Sequence, residues 1–457
     1  MRPSEAKDHH AAGPPPGPHH GPGQTSGSGA HPHLAGPAGA SGSRPEDAAF
    51  APFLPDVSDL RALDDDVPAA VGHVLDRILA ERAARAGALD PVFAHDLADR
   101  VARFTLDGGK RTRSQFVWWA LRACGGKGPA AAAALRVGAA LELIQTCALV
   151  HDDVMDGSRL RRGRPSLHAD VEAQYADAAP SSHQGTRFGE AAAILAGDLA
   201  LVWADDVLAE TDSAPDTARR VRGLWSAMRT EMVAGQYLDL QGQTTSSRSS
   251  VRAIRAACLK SALYSVERPL ALGAALAGAD AATTTALCSA GRCIGIAFQL
   301  RDDLDDVFGS ASRTGKPSGC DIRSGKPTYL VAVAQARAES SGDHQALAVL
   351  RRSLGRAELS EAGLAEVRSV LVATGARETV EARIERLAAQ GMHHLDTAVL
   401  ETDGRERLRA LLHSAAGAPP EGRLSRGSPR IEEGLSDAGN GSPGSLLLTA
   451  GAEGATR

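Results

Sequence analysis

Two long apolar segments of this chain each carry the same acidic pattern near their C-terminal end. Residues 130–150 lead into the sequence DDVMD at 152–156, and residues 281–308 include the sequence DDLDD at 302–306. On a helix, positions i and i+4 share a face and i+1 lies beside it, so each pattern would crowd three carboxylates together. The carboxylates would also stand near the negative pole of the helix dipole. The fold must therefore bring cations to both helix ends.

Helical periodicity also runs through the rest of the core. Apolar residues recur at three- and four-residue spacing in 67–85, and convincing strand alternation is absent. Aromatic residues make up only 4% of the chain, which is poor in strand formers. We therefore predict an all-α fold, a single large bundle of roughly ten or more helices around a central cavity. The segments with this periodicity are 67–85, 92–106, 130–150, 188–209, 217–240, 251–277, 281–308, 328–336 and 361–413.

Both ends of the 457-residue chain differ in composition from its middle. Residues 1–50 are dominated by Gly, Pro, His, Ala and Ser, and residues 416–457 are again rich in Gly, Ser, Pro and Glu. Such segments have too little apolar area to offset their ordering entropy. We therefore predict two disordered tails that flank an all-α domain at 51–415. The histidine pairs in the first tail lack the carboxylate or cysteine framework that would favour a metal site.

Charge and composition exclude several classes of protein. The formal net charge is −5, whereas a general nucleic-acid binder shows a basic excess. The six cysteines form no CxxC pair and do not indicate a disulfide framework, which favours a cytoplasmic location. Residues 1–20 lack the apolar stretch of a secretory signal. Arg136 and Glu142 interrupt the longest apolar run, so we predict no integral membrane segment.

Basic residues recur close to the two acidic clusters. A Gly-Gly turn at 108–109 precedes three cations, two arginines follow the first cluster, and Lys260 lies within a helical pattern. Arginine binds phosphate oxygens in bidentate fashion and lysine acts as a point charge, while Mg²⁺ couples a few carboxylates to substrate phosphates. One such cluster could be a solvated helix end, and any one cation could be a surface charge. Two clusters on apolar helices favour a diphosphate on a long hydrocarbon tail.

These motifs, taken together and in this order, resemble those of the trans-isoprenyl diphosphate synthases, or polyprenyl synthetases. The resemblance runs from about Val67 to Leu412 and implies the helical bundle of the isoprenoid synthase type. The matching motifs are Gly108-Gly109-Lys110-Arg111-x-Arg113, Glu142-Leu143-Ile144-Gln145, Val150-His151-Asp152-Asp153-x-x-Asp156, Arg161-Arg162-Gly163-x-Pro165, Gly197-Asp198, Gly235-Gln236-x-x-Asp239, Lys260-Ser261-Ala262, Phe298-Gln299-x-x-Asp302-Asp303-x-x-Asp306, Gly315-Lys316, Asp321 and Gly325-Lys326.

The resemblance implies a reaction in which metal ions and cations stabilise a departing diphosphate. An allylic diphosphate would lose its diphosphate, isopentenyl diphosphate would attack the resulting carbocation, and proton loss would give a product five carbons longer. The implied Mg²⁺ ligands are Asp152, Asp156 and Asp302, with Asp153, Asp303 and Asp306 acting through water or in support. The allylic diphosphate would be held by Arg161, Lys260, Gln299 and Lys316, and isopentenyl diphosphate by Lys110, Arg113, Gln145 and Arg162. Ser261, Gln236, Asp239 and Lys326 would support phosphate and metal binding.

A few positions depart from the common family pattern. Gln145 stands where many bacterial members have His, and it can still donate hydrogen bonds to a phosphate. Ser114 and Ser261 replace a frequent Pro and Thr, and Asp305 adds an acid to the second cluster.

Chain length in such enzymes would be set below the first acidic cluster, one helical turn earlier. The residues there are Cys147 and Ala148, which are too small to stop growth at fifteen carbons. The floor could lie at Ile144 or at Trp118-Trp119. The pattern is most similar to that of geranylgeranyl diphosphate synthases, and a longer polyprenyl product stays open.

Two other functions stay open at this point. A terpene cyclase shares the helical bundle and one aspartate-rich motif but usually carries a different second motif. A non-catalytic partner subunit would tend to lose its acids, whereas all six aspartates are present here. The resemblance also implies a homodimer.

Overall fold

The computed structural model describes residues 55–178, 181–246, 248–309 and 318–417, which belong to one compact unit. Apart from two short strands, the regular structure of this part of the chain is helical, which confirms the prediction of an all-α fold. The α-helices are α1 Leu60–Asp65, α2 Val67–Leu89, α3 Pro91–Phe93, α4 Asp99–Leu106, α5 Thr112–Ala123, α6 Pro129–Met155, α7 Leu167–Gln174, α8 Ser182–Ala209, α9 Pro215–Thr244, α10 Ser250–Ala257, α11 Arg268–Ala277, α12 Ala281–Phe308, α13 Cys320–Ser324, α14 Tyr329–Ser341, α15 His344–Ser353, α16 Glu361–Ala373, α17 Ala376–Asp396 and α18 Thr402–Ala415.

Helix starts follow the capping rules that the sequence offers. The side chain of Asp66 accepts a hydrogen bond from the Ala69 amide at 2.9 Å and so caps α2. Asp280 caps α12 in the same way, through the Thr283 amide at 2.7 Å. Each cap satisfies a backbone donor that the first helical turn leaves without a partner.

Helix α6 forms the centre of the bundle, and α8 packs along much of its length. The two helices run in opposite directions, since Gly197 of α8 contacts His151 near the end of α6 while Glu210 pairs with Arg136 near its start. By length and composition α6 could cross a membrane, but 83% of its most apolar window is buried inside the structure. Burial of that kind is typical of a core helix.

Two segments are wound as π-helices, at Ala94–Ala98 and at Cys258–Glu267. The second lies between α9 and α12, and both neighbours approach it through glycine. A Cβ atom on Gly235 would stand 2.1 Å from the Lys260 amide nitrogen, and one on Gly295 would stand 2.5 Å from the Ala262 carbonyl oxygen. These close approaches fix the position of the segment that carries Lys260.

A two-stranded hairpin, β1 Leu160–Arg161 and β2 Arg164–Pro165, follows the first acidic cluster. Its turn residues Arg162 and Gly163 both have positive φ, +54° and +75°. Two residues in the left-handed region give the tight turn that matches strand twist, and glycine takes this conformation without strain.

Two details differ from the sequence-based expectations. The periodic segment 361–413 is divided into α16, α17 and α18, and α15 precedes it. Helix α8 begins at Ser182, before the periodic segment 188–209, and α7 Leu167–Gln174 lies between that segment and 130–150. The predicted disorder of 1–50 and of nearly all of 416–457 falls outside the described residues, and the domain limits stay a prediction.

Candidate active site

The first acidic cluster lies where α6 ends, and two other elements reach it. Asp152 accepts hydrogen bonds from Lys260 of the π-helix at 3.1 Å and from Gln236 of α9 at 3.0 Å. Lys260 also donates to Asp239, one turn further along α9, at 2.9 Å. Burial opposes ionisation of Asp152, but the charges of Lys260 and Arg161 outweigh it and lower the pKa of this carboxyl. Asp152 is therefore ionised and held by cations.

The middle residue of the first cluster has a different environment. Asp153 is 1% exposed, and its Oδ1 atom accepts from the guanidinium of Arg161, with the Nε atom at 2.9 Å. Its Oδ2 atom is buried and has no hydrogen-bond partner. Burial, more than any charge, raises the pKa of Asp153. This carboxylate fixes Arg161, whose guanidinium lies 3.8 Å from Asp152.

Asp156 completes the first cluster and is exposed at its rim. Loss of solvation, together with the neighbouring charge of Asp152, raises the pKa of Asp156 to about 6. The carboxyl group of Asp156 is therefore easier to protonate than that of Asp152.

The second acidic cluster, near the end of α12, is built in a similar way. Asp303 is buried and accepts from Gln299, one turn earlier, at 2.8 Å. Lys326 lies 4.0 Å from Asp303 and 3.4 Å from Asp321. Asp306 accepts from the Asp321 amide at 3.0 Å. The pKa values of Asp303 and Asp306 are raised above the usual range, chiefly by burial.

Lys326 links the two clusters. It donates a hydrogen bond to Asp321 beside the second cluster, and its charge also favours the ionised forms of Asp152 and Asp156 in the first. The charges of Asp321, Asp303, Asp239 and Asp302 in turn raise the pKa of Lys326 well above its ordinary value, against the effect of burial. Helix α9 approaches both clusters by direct contact, since Gln236 reaches Asp152 and a Cβ atom on Gly242 would stand 2.9 Å from Pro327, next to Lys326.

A second set of polar groups lies beside the start of α5. Arg113 donates to the hydroxyl of Ser265 at 2.8 Å, and its guanidinium stacks over the ring of Tyr264 at 4.5 Å. Tyr264 donates its hydroxyl hydrogen to the amide oxygen of Gln145 at 2.7 Å. The π-helix therefore contacts both sets, with Lys260 at the acidic clusters and Tyr264 here.

The hairpin brings Arg162 to the same side of the site. Its guanidinium donates to the Asp107 carbonyl oxygen at 3.0 Å, and Arg164 forms an ion pair with the Asp107 carboxylate at 2.6 Å. Asp107 precedes the Gly-Gly turn, and Lys110 is exposed just after that turn. Lys110 and Arg162 thus stand on two adjoining segments at the surface.

Ser261 and Lys316 are two further candidates for phosphate binding. Ser261 is half-buried directly after Lys260. Lys316 lies outside the described residues, so its assignment stays a prediction.

The residues of α6 that precede the first cluster by one or two turns differ in how far they are buried. Cys147 is buried, its sulfur lies 3.7 Å from Nδ1 of His151, and burial raises the pKa of its thiol to about 12. Ala148 is only half-buried. Ile144 is fully buried.

Trp118 and Trp119 of α5 contact residues of α1 and α18. Trp118 donates from its indole nitrogen to Asp64 at 2.8 Å, and Arg407 lies over the ring of Trp119 at 5.9 Å. These contacts with α1 and α18 are those of core packing.

The donor set of the acidic clusters fits Mg²⁺. Within the described residues, no three histidine, cysteine or acidic side chains converge closely enough to hold a metal ion by themselves. Mg²⁺ characteristically takes one or two carboxylates and completes its coordination with substrate phosphates and water. Hard oxygen donors of this kind are present at both helix ends, in Asp152 and Asp156 of the first cluster and Asp303 and Asp306 of the second.

Two contacts near the site could not be predicted from the sequence motifs. One is the contact of Tyr264 with Gln145 and Arg113, because in the sequence Tyr264 is indistinguishable from an ordinary core aromatic. The other explains a pair of motifs: the Nε2 atom of His151 lies 3.0 Å from the Ile194 carbonyl oxygen, and a Cβ on Gly197 would stand 2.1 Å from that nitrogen. Gly197 therefore makes room for the His151 ring between α6 and α8.

Comparisons with known proteins agree with this geometry. Residues 95–367 match the polyprenyl synthetase family. A crystal structure of geranylgeranyl pyrophosphate synthase from Corynebacterium glutamicum, complexed with isoprenyl diphosphate and magnesium, has a TM-score of 0.70 and 37% identity, covering 76% of this chain and 98% of that chain. Farnesyl diphosphate synthase from Geobacillus stearothermophilus is 36% identical over 277 residues, which are 58% of this chain and 84% of that protein.

Relatives with longer products are also similar. Nonaprenyl diphosphate synthase from Mycobacterium tuberculosis is 29% identical over 316 residues, covering 69% of this chain and 85% of that protein. The names of these relatives span farnesyl to nonaprenyl products, so similarity alone leaves the product length open. The family match and these relatives nevertheless confirm the resemblance found in the sequence: the chain belongs to the polyprenyl synthetase family, whose members are trans-prenyl diphosphate synthases.

Proposed function

We propose that this protein is a Mg²⁺-dependent prenyltransferase that condenses isopentenyl diphosphate with allylic diphosphates into linear geranylgeranyl diphosphate. The observation that carries the proposal is the pair of acidic helix ends, each with its own lysine: Lys260 at Asp152, where the apolar core helix α6 ends, and Lys326 at Asp303 and Asp321. Two anionic clusters with interleaved cations suit a diphosphate that arrives with metal ions.

The acidic clusters and their cations would bind the allylic substrate. Asp152, Asp156 and Asp302 would hold Mg²⁺, which when bound neutralises charge on the leaving diphosphate. Arg161 and Lys260 would bind diphosphate oxygens, and both are already placed by Asp153 and Asp239. Because these cations are fixed before substrate arrives, little reorganisation is needed as the allylic C–O bond breaks.

The set around α5 would bind isopentenyl diphosphate. Arg113 and Gln145 are ordered through Tyr264, and Arg162 and Lys110 stand on adjoining segments. A diphosphate at this second set would present its double bond towards the first set. The departing diphosphate would then serve as the base that accepts the proton lost from the condensation product.

The twenty-carbon product is supported by the small residues at the first cluster. Ala148 is half-buried and Cys147 is small, so neither blocks a growing chain at fifteen carbons. A longer polyprenyl product is the alternative, favoured by the similarity to a nonaprenyl synthase.

Product analysis tests the proposal. The purified protein is incubated with isopentenyl diphosphate, dimethylallyl diphosphate and Mg²⁺, and the products are dephosphorylated and identified by mass. Linear twenty-carbon alcohol supports the proposal, and longer linear alcohols support the alternative. A cyclic hydrocarbon would mean a terpene cyclase, and no turnover would mean a non-catalytic subunit.

We further propose a cytoplasmic homodimer in which α8 lies at the subunit contact. Helix α8 exposes Phe188, Leu195 and Val202 at seven-residue intervals, which place them along one side of the helix, and it also exposes Ile194. Light scattering after size-exclusion chromatography should give twice the chain mass. Leu195→Asp should yield monomer, whereas Val372→Asp, at an exposed position of α16, should not; a wild-type monomer would overturn the proposal.

A further inference from the structure

Tyr264 is buried between two residues of the proposed isopentenyl diphosphate site. Only 3% of it is exposed, its hydroxyl group contacts Gln145, and its ring lies under Arg113. Arg113 is held from a second side by the Ser265 hydroxyl at 2.8 Å. One side chain therefore contacts both an amide and a guanidinium that would bind the same phosphate group.

The hydrogen bond to Gln145 has a direction that matters. A glutamine amide has an acceptor oxygen and a donor nitrogen, and a phosphate oxygen can only accept. Because Tyr264 donates to the amide oxygen, the amide nitrogen keeps its two hydrogens for other partners. Loss of the tyrosine hydroxyl would let the amide rotate and present its oxygen to an anion.

The hydroxyl group keeps its proton at neutral pH. Burial raises the pKa of Tyr264 well above its ordinary value, and the neighbouring charge of Arg113 only partly opposes that rise. A neutral phenol is a hydrogen-bond donor, as this contact requires, and its ring face attracts the guanidinium.

We propose that Tyr264 is a positioning residue for isopentenyl diphosphate, which orients the Gln145 amide as a donor and holds the Arg113 guanidinium over its ring. The inference rests on the proposed function, because it assigns Gln145 and Arg113 to the second substrate. It also explains how glutamine can serve at a position where many family members have histidine. The hydrogen bond from Tyr264 fixes the amide in the orientation in which its nitrogen can donate to a phosphate.

Steady-state kinetics with each substrate varied in turn test the proposal. Tyr264→Phe removes the hydroxyl and keeps the ring, so the KM for isopentenyl diphosphate should rise about tenfold while the KM for the allylic substrate changes less than about twofold. Tyr264→Leu also removes the ring under Arg113 and should raise the first KM further. Tyr175→Phe is the control, since it removes a hydroxyl contact with Asp96 in another part of the fold.

A double-mutant comparison separates orientation of the amide from a general structural effect. If Tyr264 acts on substrate through Gln145, then Tyr264→Phe should add less than about twofold to the KM of a Gln145→Leu variant. Full additivity of the two changes would overturn the proposed link. Should Tyr264→Phe fail to fold, Gln145→Glu carries the test, because it keeps the acceptor for Tyr264 and removes the donor. An unchanged KM for isopentenyl diphosphate in that variant would also overturn the proposal.

Failure of this inference can be distinguished from failure of the proposed function. A wild-type protein that makes no prenyl product contradicts the function itself. An active wild type whose Tyr264→Phe variant retains the same KM for isopentenyl diphosphate contradicts only the role of Tyr264.

Discussion

Lys260 donates a hydrogen bond to Asp152 at 3.1 Å, although the two residues lie 108 positions apart in the chain. The contact joins the π-helical segment Cys258–Glu267 to the end of α6. Burial disfavours the charge on Lys260, and Asp152 and Asp239 more than restore it, which raises the pKa of the ammonium group. A fixed, charged lysine beside an ionised carboxylate is a site prepared for both an anion and a metal cation.

The carboxylates of the two clusters should be indispensable for turnover. Asp152→Asn and Asp302→Asn each remove a charge that would hold Mg²⁺ against the leaving diphosphate, so kcat should fall by about 10²- to 10³-fold or more. Initial rates of product formation measure the loss. Asp216→Asn, at an exposed ion pair of α9, is the control. Near-normal turnover in both acidic variants would contradict the assignment of the metal ligands.

The close approach of α9 to the π-helix should make Gly235 intolerant of any side chain. A Cβ atom there would overlap the Lys260 backbone, so Gly235→Ala must separate the two elements and displace Lys260. We expect a loss of about 1–3 kcal/mol in the free energy of unfolding, together with reduced kcat.

Gly223 of the same helix provides the matched control for this substitution. A Cβ atom there would meet nothing within 4 Å, so Gly223→Ala should stabilise the protein by about 0.5–1 kcal/mol and leave kcat unchanged. Urea denaturation measures both variants. Equal stability of the two would mean that the helices can move apart at no cost.

Product length should respond to bulk at Ala148. Because this residue is half-buried one turn before Asp152, Ala148→Phe would place a ring in the path proposed for the hydrocarbon chain. The product should shorten from twenty to about fifteen carbons, a change readily seen by mass, and Ala148→Ser should retain the wild-type product. An unchanged product with phenylalanine would place the floor of the channel elsewhere.

A buried ion cluster near the start of α6 should contribute to stability and not to catalysis. Glu210 pairs with Arg136 and Arg82, which are 1% and 5% exposed. Glu210→Ala leaves two buried guanidinium groups without their carboxylate, and since Glu210 itself is partly exposed we expect a loss of about 2–4 kcal/mol in the free energy of unfolding.

Arg136→Met should be the milder change in this cluster, because Glu210 would still pair with Arg82. Thermal unfolding ranks the two variants. A larger loss in Arg136→Met than in Glu210→Ala would show that packing of the arginine, and not its charge partner, dominates.

Motif spacing was enough to select many of the residues that the structure brings together in the candidate site. The DDxxD patterns, Lys260, Gln236, Asp239 and Lys326 are identifiable because their chemistry requires charged or amide groups at fixed positions, and the structure brings these residues together. The pairing of Asp153 with Arg161 was not predictable, since the motif does not distinguish an acid that faces the ligand from one that fixes an arginine. Tyr264 was missed for a related reason, because a buried aromatic side chain has no distinctive spacing.

The π-helical winding of one segment and the division of another into three helices could not be predicted from the periodicity of apolar residues. A helical pattern of apolar residues does not distinguish α from π winding, and the π-segment is defined by neighbours that approach it at Gly235 and Gly295. The division of 361–413 into three helices depends on turns at residues such as Gly375, whose positive φ of 67° ends one helix and starts the next.

The π-winding of Cys258–Glu267 makes the number of residues in that segment as important as their identity. Successive residues of an ordinary helix are rotated by about 100° about its axis. Removing one residue between Lys260 and Tyr264 would therefore turn one of them away from its partner, even with every side chain of the site still present. Engineered or natural length variation in this decapeptide should thus uncouple the two proposed substrate sites from each other.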